Sequence, residues 1–373
     1  MAIANWLLNM AVYMLIPVMP LWLLQDEHFS ALETGLAMGV FGVGIYVFGG
    51  FCSYLVQRFR RNHVCVLAIL LMALSVAMLQ YVNAEEGLLA GKGFIFLQRL
   101  SLGAFFGLSQ MILSSTLIID ISESFQRTEA NYSAAWFSRF ALALGPIAGM
   151  VVYRLQGFEW VVWAAVDCCL AAVLFIHLVN FPFRTPDDDV SKFCLDRFLL
   201  PQGMWLFVNM LLVTTAVGLL MTTALSDWYY AIMMGGFLLA ILAQRFVFPE
   251  AELKSEIVSG LILMGGAVLF MLVQAGDALS YISPLSLGLG VGIIGSRFLL
   301  FFIKLSRHCQ RGTSQSTFLL SWETGLSLGL FLGYAFFYGQ HELLFSVAFG
   351  LIVAALLLYN FFTHHWFITH KNR

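Results

Sequence analysis

The chain has 373 residues, 60% of them hydrophobic and 11% charged, with a formal net charge of −2. A soluble domain carries roughly 25% charged residues, so this composition cannot cover an aqueous surface and excludes a water-soluble fold. No basic stripe marks a nucleic-acid surface, and the six cysteines show neither a disulfide framework nor metal-ligand spacing. Apolar runs long enough to cross roughly 30 Å of hydrocarbon at about 1.5 Å per residue are the next signal. They predict helical spans at 2–24, 34–56, 64–82, 93–119, 132–153 and 160–181, then 203–225, 228–248, 257–275, 281–305, 316–338 and 343–363. The expected fold class is therefore an all-α membrane protein of about twelve transmembrane helices. The first span leads into another without a small-residue cleavage site, so it is expected to be retained rather than removed as a signal peptide.

Between the sixth and seventh spans lies the long hydrophilic stretch Arg184 to Gln202, with Pro186, Asp187, Asp188, Asp189 and Pro201. It predicts an N-terminal six-helix bundle over 1–183, a linker over 184–202 and a C-terminal six-helix bundle over 203–373. Internal repetition supports two related halves. Ser101-Leu102-Gly103 with Gly107 recurs as Ser286-Leu287-Gly288 with Gly292, at an offset of 185. Gly49-Gly50-Phe51 recurs as Gly235-Gly236-Phe237 at 186, and Arg127, Gly145 and Gly149 recur as Arg311, Gly329 and Gly333 at 184. Small residues four apart let helices approach closely, and Pro146 removes a backbone donor within the fifth span.

Lysine and arginine crowd one set of alternating loops (Arg58, Arg60, Arg61, Arg127, Arg184, Lys192, Arg197, Arg245, Lys254, Lys304, Arg307, Arg311, Lys371, Arg373), against Lys92 and Arg154 on the other. That asymmetry predicts both termini in the cytoplasm.

These motifs resemble the major facilitator superfamily over essentially the whole chain. Ser53-Tyr54-Leu55-Val56-Gln57-Arg58-Phe59-Arg60-Arg61 is similar to its G-x-L-x-D-R-x-G-R-R signature, with Ser53 in place of the Gly and Gln57 in place of the Asp. Arg99-Leu100-Ser101-Leu102-Gly103 resembles R-x-x-Q-G, with Leu102 for the Gln. Gly145-Pro146 with Gly149 is similar to the G-P-x-x-G motif of antiporters, and Arg311-Gly312-Thr313 through Trp322-Glu323-Thr324-Gly325 to Gly329 resembles a run in bacterial drug-efflux-type members. The resemblance implies two pseudo-symmetric bundles rocking by alternating access, in a bacterial-type inner membrane. It also implies gating roles for Gln57, Arg58, Arg61, Asp120, Arg127, Gly145, Pro146 and Gly149. Gln57 keeps hydrogen bonding but forfeits an ion pair, which weakens that gate.

Ionisable residues within the bilayer need a partner or a wet cavity, since an unpaired charge costs at least about 3 kcal/mol there. Five stand out: Arg99, Asp167, Arg139, Arg297 and Glu323. Arg99 and Asp167 lie at matched depth and are expected either to form a structural pair within the first half or, like the other three, to take part in substrate or proton coupling. Arg139 and Glu323 occupy equivalent repeat positions, 184 apart. The sharper expectation is that Arg139, Arg297 and Glu323 converge on a central cavity, with Glu323 binding protons; the plainer one is that Glu323 only neutralises Arg297. Asn9, Tyr13, Asn209, Trp136, Trp322 and Tyr334 are expected to line the cavity, with Asn9 and Asn209 either facing each other across it or making helix-to-helix hydrogen bonds. Two arginines against one acid favour an anionic or zwitterionic solute, and aromatic walls favour an amphipathic one.

No Walker-type loop, metal constellation or nucleophile elbow is present. The expectation is a monomeric, lipid-embedded secondary transporter without enzyme activity, cofactor, metal or nucleic-acid partner. It is expected to export small amphipathic or anionic organic compounds against protons. An importer or facilitator of an organic anion is the alternative, and a non-transporting scaffold or sensor is disfavoured by the short loops.

Overall fold

The computed structural model describes residues 1–82, 91–122, 127–182, 190–223, 226–248, 252–273 and 277–372. Arg184 and the acidic run Asp187 to Asp189 of the expected linker lie outside them. Twelve long helices account for these residues: α1 (Ala2–Gln25), α2 (Ala31–Arg58), α3 (Arg61–Tyr81), α4 (Lys92–Ile121), α5 (Arg127–Gln156), α6 (Phe158–His177), α7 (Pro201–Leu220), α8 (Asp227–Phe246), α9 (Leu253–Leu272), α10 (Asp277–Leu305), α11 (Arg311–Phe337) and α12 (His341–His370). Eleven are long and apolar enough to cross a membrane. The exception, α11, has 27 residues but carries Thr313, Ser314, Gln315, Ser316, Thr317, Ser321 and Glu323, all buried. Its polarity is turned inward, away from lipid, which is why composition alone fails to mark it as a span.

An even number of crossings puts both chain ends on one side, here the terminal face; the other is the far face. Helices α1–α6 and α7–α12 form two pseudo-symmetric six-helix bundles. In the first, α1 packs on α5 and α6, α2 on α4, and α3 on α4 and α6; in the second, α7 packs on α11 and α12, α8 on α10, and α9 on α10 and α12. The glycine repeat explains the equivalence. A Cβ on Gly103 would lie 2.1 Å from the Phe41 carbonyl oxygen, and one on Gly288 would lie 2.1 Å from that of Met233. Any larger side chain would force α2 from α4, or α8 from α10. On α2, however, it is Gly44 that meets Gly103, as Gly236 meets Gly288. Gly49 and Gly50 have a separate use described below, so that part of the expected repeat register shifts.

Two features shape α1 and α5. Pro17 has no N–H to offer the Tyr13 carbonyl, and the regular helix is interrupted at Met14, between segments Ala2–Tyr13 and Leu15–Gln25. Gly145 and Gly149 of α5 let this break come close: their Cβ positions fall 2.7 Å from Tyr13 Cβ and 2.2 Å from the Met14 carbonyl oxygen. Pro146 stays within a continuous α5. The α1–α5 contact thus fixes where Tyr13 points.

The halves touch along α2–α11 and α5–α8. Toward the far face, Gly35, Gly39 and Gly42 pack on Ala335, Phe331 and Ser327, and Arg154 pairs with Asp227 at 2.6 Å. Toward the terminal face, Gly312 of α11 sits against the Ser115 backbone of α4, inside a π-helical turn spanning Leu113–Leu117. The segment before α7 is threaded between the halves there. Phe198 and Phe193 lie over Gly49 and Gly50, the Cys194 N–H donates to the Gly50 carbonyl at 2.9 Å, and the N–H groups of Arg197 and Leu200 donate to Thr313 and Thr317 at 2.9 and 2.8 Å.

Candidate functional site

Glu323 and Arg139 lie at the interface of the two halves, and each reaches across it. The Tyr13 hydroxyl of α1 donates to Glu323 Oε1 at 2.6 Å, and the Trp322 indole lies beside the same hydroxyl. At the next residue, Tyr46 of α2 and Thr324 share a hydrogen bond of 2.5 Å. Arg139, only 2% exposed, projects from α5 onto α10: its Nε would lie 2.7 Å from a Cβ on Gly295, and Trp322 Cζ3 3.0 Å from the same point. Trp322 therefore neighbours both the Tyr13 hydroxyl that holds the carboxylate and the point on Gly295 that Arg139 approaches.

Arg139 has an uncommon environment. Its guanidinium lies 4.7 Å from the Trp136 ring centroid, and Nε, both terminal nitrogens included, has no hydrogen-bond acceptor among the described residues. A cation–π contact contributes about 0.5–2 kcal/mol, less than a buried, unpaired charge costs. Five N–H donors thus converge on an aromatic-walled spot without an acceptor among the described residues.

Sequence reasoning misplaced the third member. Arg297 donates to Glu256 of α9 at 2.6 Å, with Glu256 1% exposed, so the second half neutralises Arg297 internally. Neither the expected triad nor the plainer Arg297–Glu323 pair forms. Glu256 was overlooked because the predicted span begins at 257, whereas α9 begins at Leu253.

Arg99 and Asp167 are not partners either. Arg99 is buried, donates to the Ala37 carbonyl at 3.3 Å and lies 5.0 Å from the Phe41 ring centroid, whereas Asp167 is exposed on the outside of α6. Matched depth did not bring matched faces. Asn9 and Asn209 also serve within their own halves: Asn9 donates to Ser138 of α5 at 3.1 Å, and Asn209 to the Ala355 carbonyl of α12 at 3.1 Å. They do not face each other across a cavity. Tyr334, in contrast, lines a far-face vestibule of about 480 Å³ with Pro20, Met150, Thr222 and Tyr230.

At the terminal face, Arg61 pairs with Asp120, joining α3 to α4, while the Gln57 amide donates only to Ser53 on its own helix at 3.0 Å. Arg58 is partly exposed at the end of α2, and the Arg127 side chain lies outside the described residues. Arg61, Asp120, Ser115, Thr116, Arg197 and Thr313 line a polar cleft of about 240 Å³. Arg197 donates to Thr116 at 2.8 Å, and Thr313 to Asp196 at 2.8 Å, so α4 and α11 are tied through the linker. Burial lowers the Arg197 pKa, and neighbouring Asp196 partly opposes that shift.

Twelve helices in two equivalent bundles, with charged groups at their shared interface, match a known family. The sequence model described as Major Facilitator Superfamily matches residues 1–330. The chain belongs to the Major Facilitator Superfamily. A sequence search of curated proteins gives no significant match. Two crystal structures share the superfamily fold. The nucleoside transporter NupG, in a mutant form, aligns with TM-score 0.67 and 14% identity, covering 97% of this chain and 98% of that one. The human organic anion transporter MFSD10 (TETRAN) aligns with TM-score 0.71 and 15% identity, covering 96% and 97%. In this Major Facilitator Superfamily member, Arg139 is the buried cation without a hydrogen-bond acceptor among the described residues where the two bundles meet.

Proposed function

We propose that this transporter exports small amphipathic or anionic organic compounds in exchange for protons, acting as a monomer in a bacterial-type inner membrane with the terminal face in the cytoplasm. The carrying observation is Arg139, a buried cation at the interface with no hydrogen-bond acceptor among the described residues. Arg139 binds the solute's negative group, Trp136 and Trp322 flank its apolar part, and Tyr334 lines the route toward the far face. Glu323, held by Tyr13, is the proton-binding carboxylate. Rocking of the bundles about α2–α11 and α5–α8 alternates access. Orientation rests on the arginine and lysine asymmetry of the loops.

A second reading, uncoupled transport of an organic anion, is favoured by one feature: among the described residues Glu323 is held by Tyr13 rather than by an arginine, so anion binding at Arg139 stands without it. Proteoliposomes with an internal pH dye, screened against aromatic sulfonates, carboxylates and zwitterions, separate the two. Glu323→Gln is expected to abolish proton-driven transport while leaving solute counterflow, and Arg139→Met to abolish both. Full proton coupling in Glu323→Gln would remove the coupling role and leave the facilitator.

A further inference from the structure

The far-face vestibule, at about 480 Å³, has the size of a small-molecule site, for which roughly 300–1,000 Å³ is usual. Its walls come from both bundles: α1 and α5 of the first, and the end of α7 with α8, α11 and α12 of the second. Arg139, Glu323, Trp136 and Trp322 are not among the described residues that line it. Tyr334 on α11 and Met150 on α5 each stand eleven residues beyond Glu323 and Arg139, about 16 Å nearer the far face by helical rise.

The lining is largely apolar, with two donors set into it. Tyr230 and Tyr334 are 1% and 7% exposed, yet their hydroxyls make no hydrogen bond among the described residues. Neither hydroxyl is sealed within the packing, so each opens on the vestibule. Buried phenols ordinarily find an acceptor, and here a ligand can supply it. The threonines nearby do not compete for that role, because the Thr222 and Thr223 hydroxyls donate to the Leu219 and Leu220 carbonyls, each at 2.7 Å. Charge is settled at the rim, where Arg154 is held by Asp227 at 2.6 Å. No aspartate or glutamate is among the described lining residues, so nothing there holds a cation, and a guanidinium already paired offers little to an anion.

We propose that the vestibule is a second binding site, for uncharged two-ring aromatic compounds that carry a carbonyl or sulfonyl oxygen. That oxygen accepts from the Tyr230 and Tyr334 hydroxyls, while Met150, Met221 and Phe337 flank the rings. Selection here is opposite to that at Arg139, where a negative group is required, and the site stands whether or not the export reading holds.

The test uses the full chain in lipid nanodiscs and benzophenone, an uncharged two-ring ketone that on illumination inserts into nearby C–H bonds, with a preference for methionine. Peptide mass spectrometry then locates the adducts. Met150 and Met221 report the vestibule, whereas Met78 and Met204, 37% and 39% exposed on the outer surface, report probe dissolved in the bilayer. Adducts at Met150 and Met221 are expected to saturate and to be displaced by diphenyl sulfone, while those at Met78 and Met204 rise in proportion to the probe. Tyr230→Phe with Tyr334→Phe keeps both rings and is expected to raise the half-saturating concentration about fivefold. The charged analogues 4-benzoylbenzoate and (4-benzoylbenzyl)trimethylammonium are expected to label the vestibule about tenfold less. Adducts at all four methionines rising together without saturation would overturn the site. Equal labelling by either charged analogue would overturn the ligand class, and an unchanged half-saturation in the double variant would overturn the role of the hydroxyls. Should the double variant not fold, Tyr334→Phe alone, with displacement by diphenyl sulfone in the unaltered chain, decides the same points.

Discussion

Arg139 and Arg297 look alike in the sequence, but methionine at each should have opposite effects on stability. Arg139 is unpaired, so Arg139→Met removes a charge costing about 3 kcal/mol on membrane insertion scales. It also loses the Trp136 contact, worth about 0.5–2 kcal/mol, leaving a net gain of about 1–2 kcal/mol for the solute-free protein. Arg297→Met instead strands Glu256, which is 1% exposed, and breaking a buried pair by deleting one partner costs about 3–5 kcal/mol. Adding Glu256→Gln to Arg297→Met should recover most of that loss. Reversible unfolding in mixed detergent–lipid micelles, with each variant also assayed for transport, gives both signs. A stabilised but inactive Arg139→Met is expected. If Arg139→Met is instead destabilised as much as Arg297→Met, the guanidinium is satisfied by the resting protein, and the solute site proposed at Arg139 has no basis.

The terminal-face contacts give two further expectations. A Cβ on Gly312 would fall 2.5 Å from the Ser115 carbonyl oxygen, so Gly312→Val should hold α4 and α11 apart; in a Ser115→Cys background, maleimide labelling should accelerate at least tenfold, and an unchanged rate would show that this contact is no gate. The Phe198 ring occupies the space a Gly49 Cβ would need, 2.1 Å away, so Gly49→Ala should cost about 1–3 kcal/mol by overpacking, and Phe198→Leu should relieve part of it in a double-mutant cycle. Additive effects of the two substitutions would mean the ring does not seat on Gly49.

Hydropathy made most of the helices legible because crossing hydrocarbon requires long apolar runs, and the glycine repeat was legible because close helix crossings tolerate no side chain. What failed was angular position. Arg99 and Asp167 share a depth, but in lipid both faces of α6 are apolar, so nothing in the pattern says that Asp167 points outward. The same gap left two readings open for Asn9 and Asn209, and the structure takes the helix-to-helix one, each tying its own bundle. Glu256 was lost at an element boundary, where Lys254 and Ser255 lower the hydropathy of the first turn of α9. Gln110 and Ser316 carried no charge to draw notice, and nothing in the sequence marks their lack of side-chain partners among the described residues. The linker's role was partly readable: Phe193 and Phe198 are out of place in a solvated segment, and Gly49-Gly50 leaves two aromatic-sized gaps.

Equivalent positions bearing opposite charges explain how solute and proton can be linked without touching. Arg139 belongs to the first bundle and rests on the second at Gly295; Glu323 belongs to the second and is held by the first at Tyr13. Both contacts cross the same interface, so a rigid rocking of one bundle against the other has to change both environments together. Close-packed interfaces of this kind switch between discrete arrangements rather than deforming gradually. Under the proposed reading, an anion on Arg139 and a proton on Glu323 each favour one arrangement, and a coupling free energy of about 1–3 kcal/mol, or roughly 5- to 150-fold in affinity, follows from the shared interface. A direct Arg139–Glu323 ion pair would work against this, because each group would then satisfy the other and neither would need its ligand. Under that reading the Tyr13 contact and the Gly295 contact keep the two demands separate, and solute and proton are coupled through movement of the bundles and not through contact.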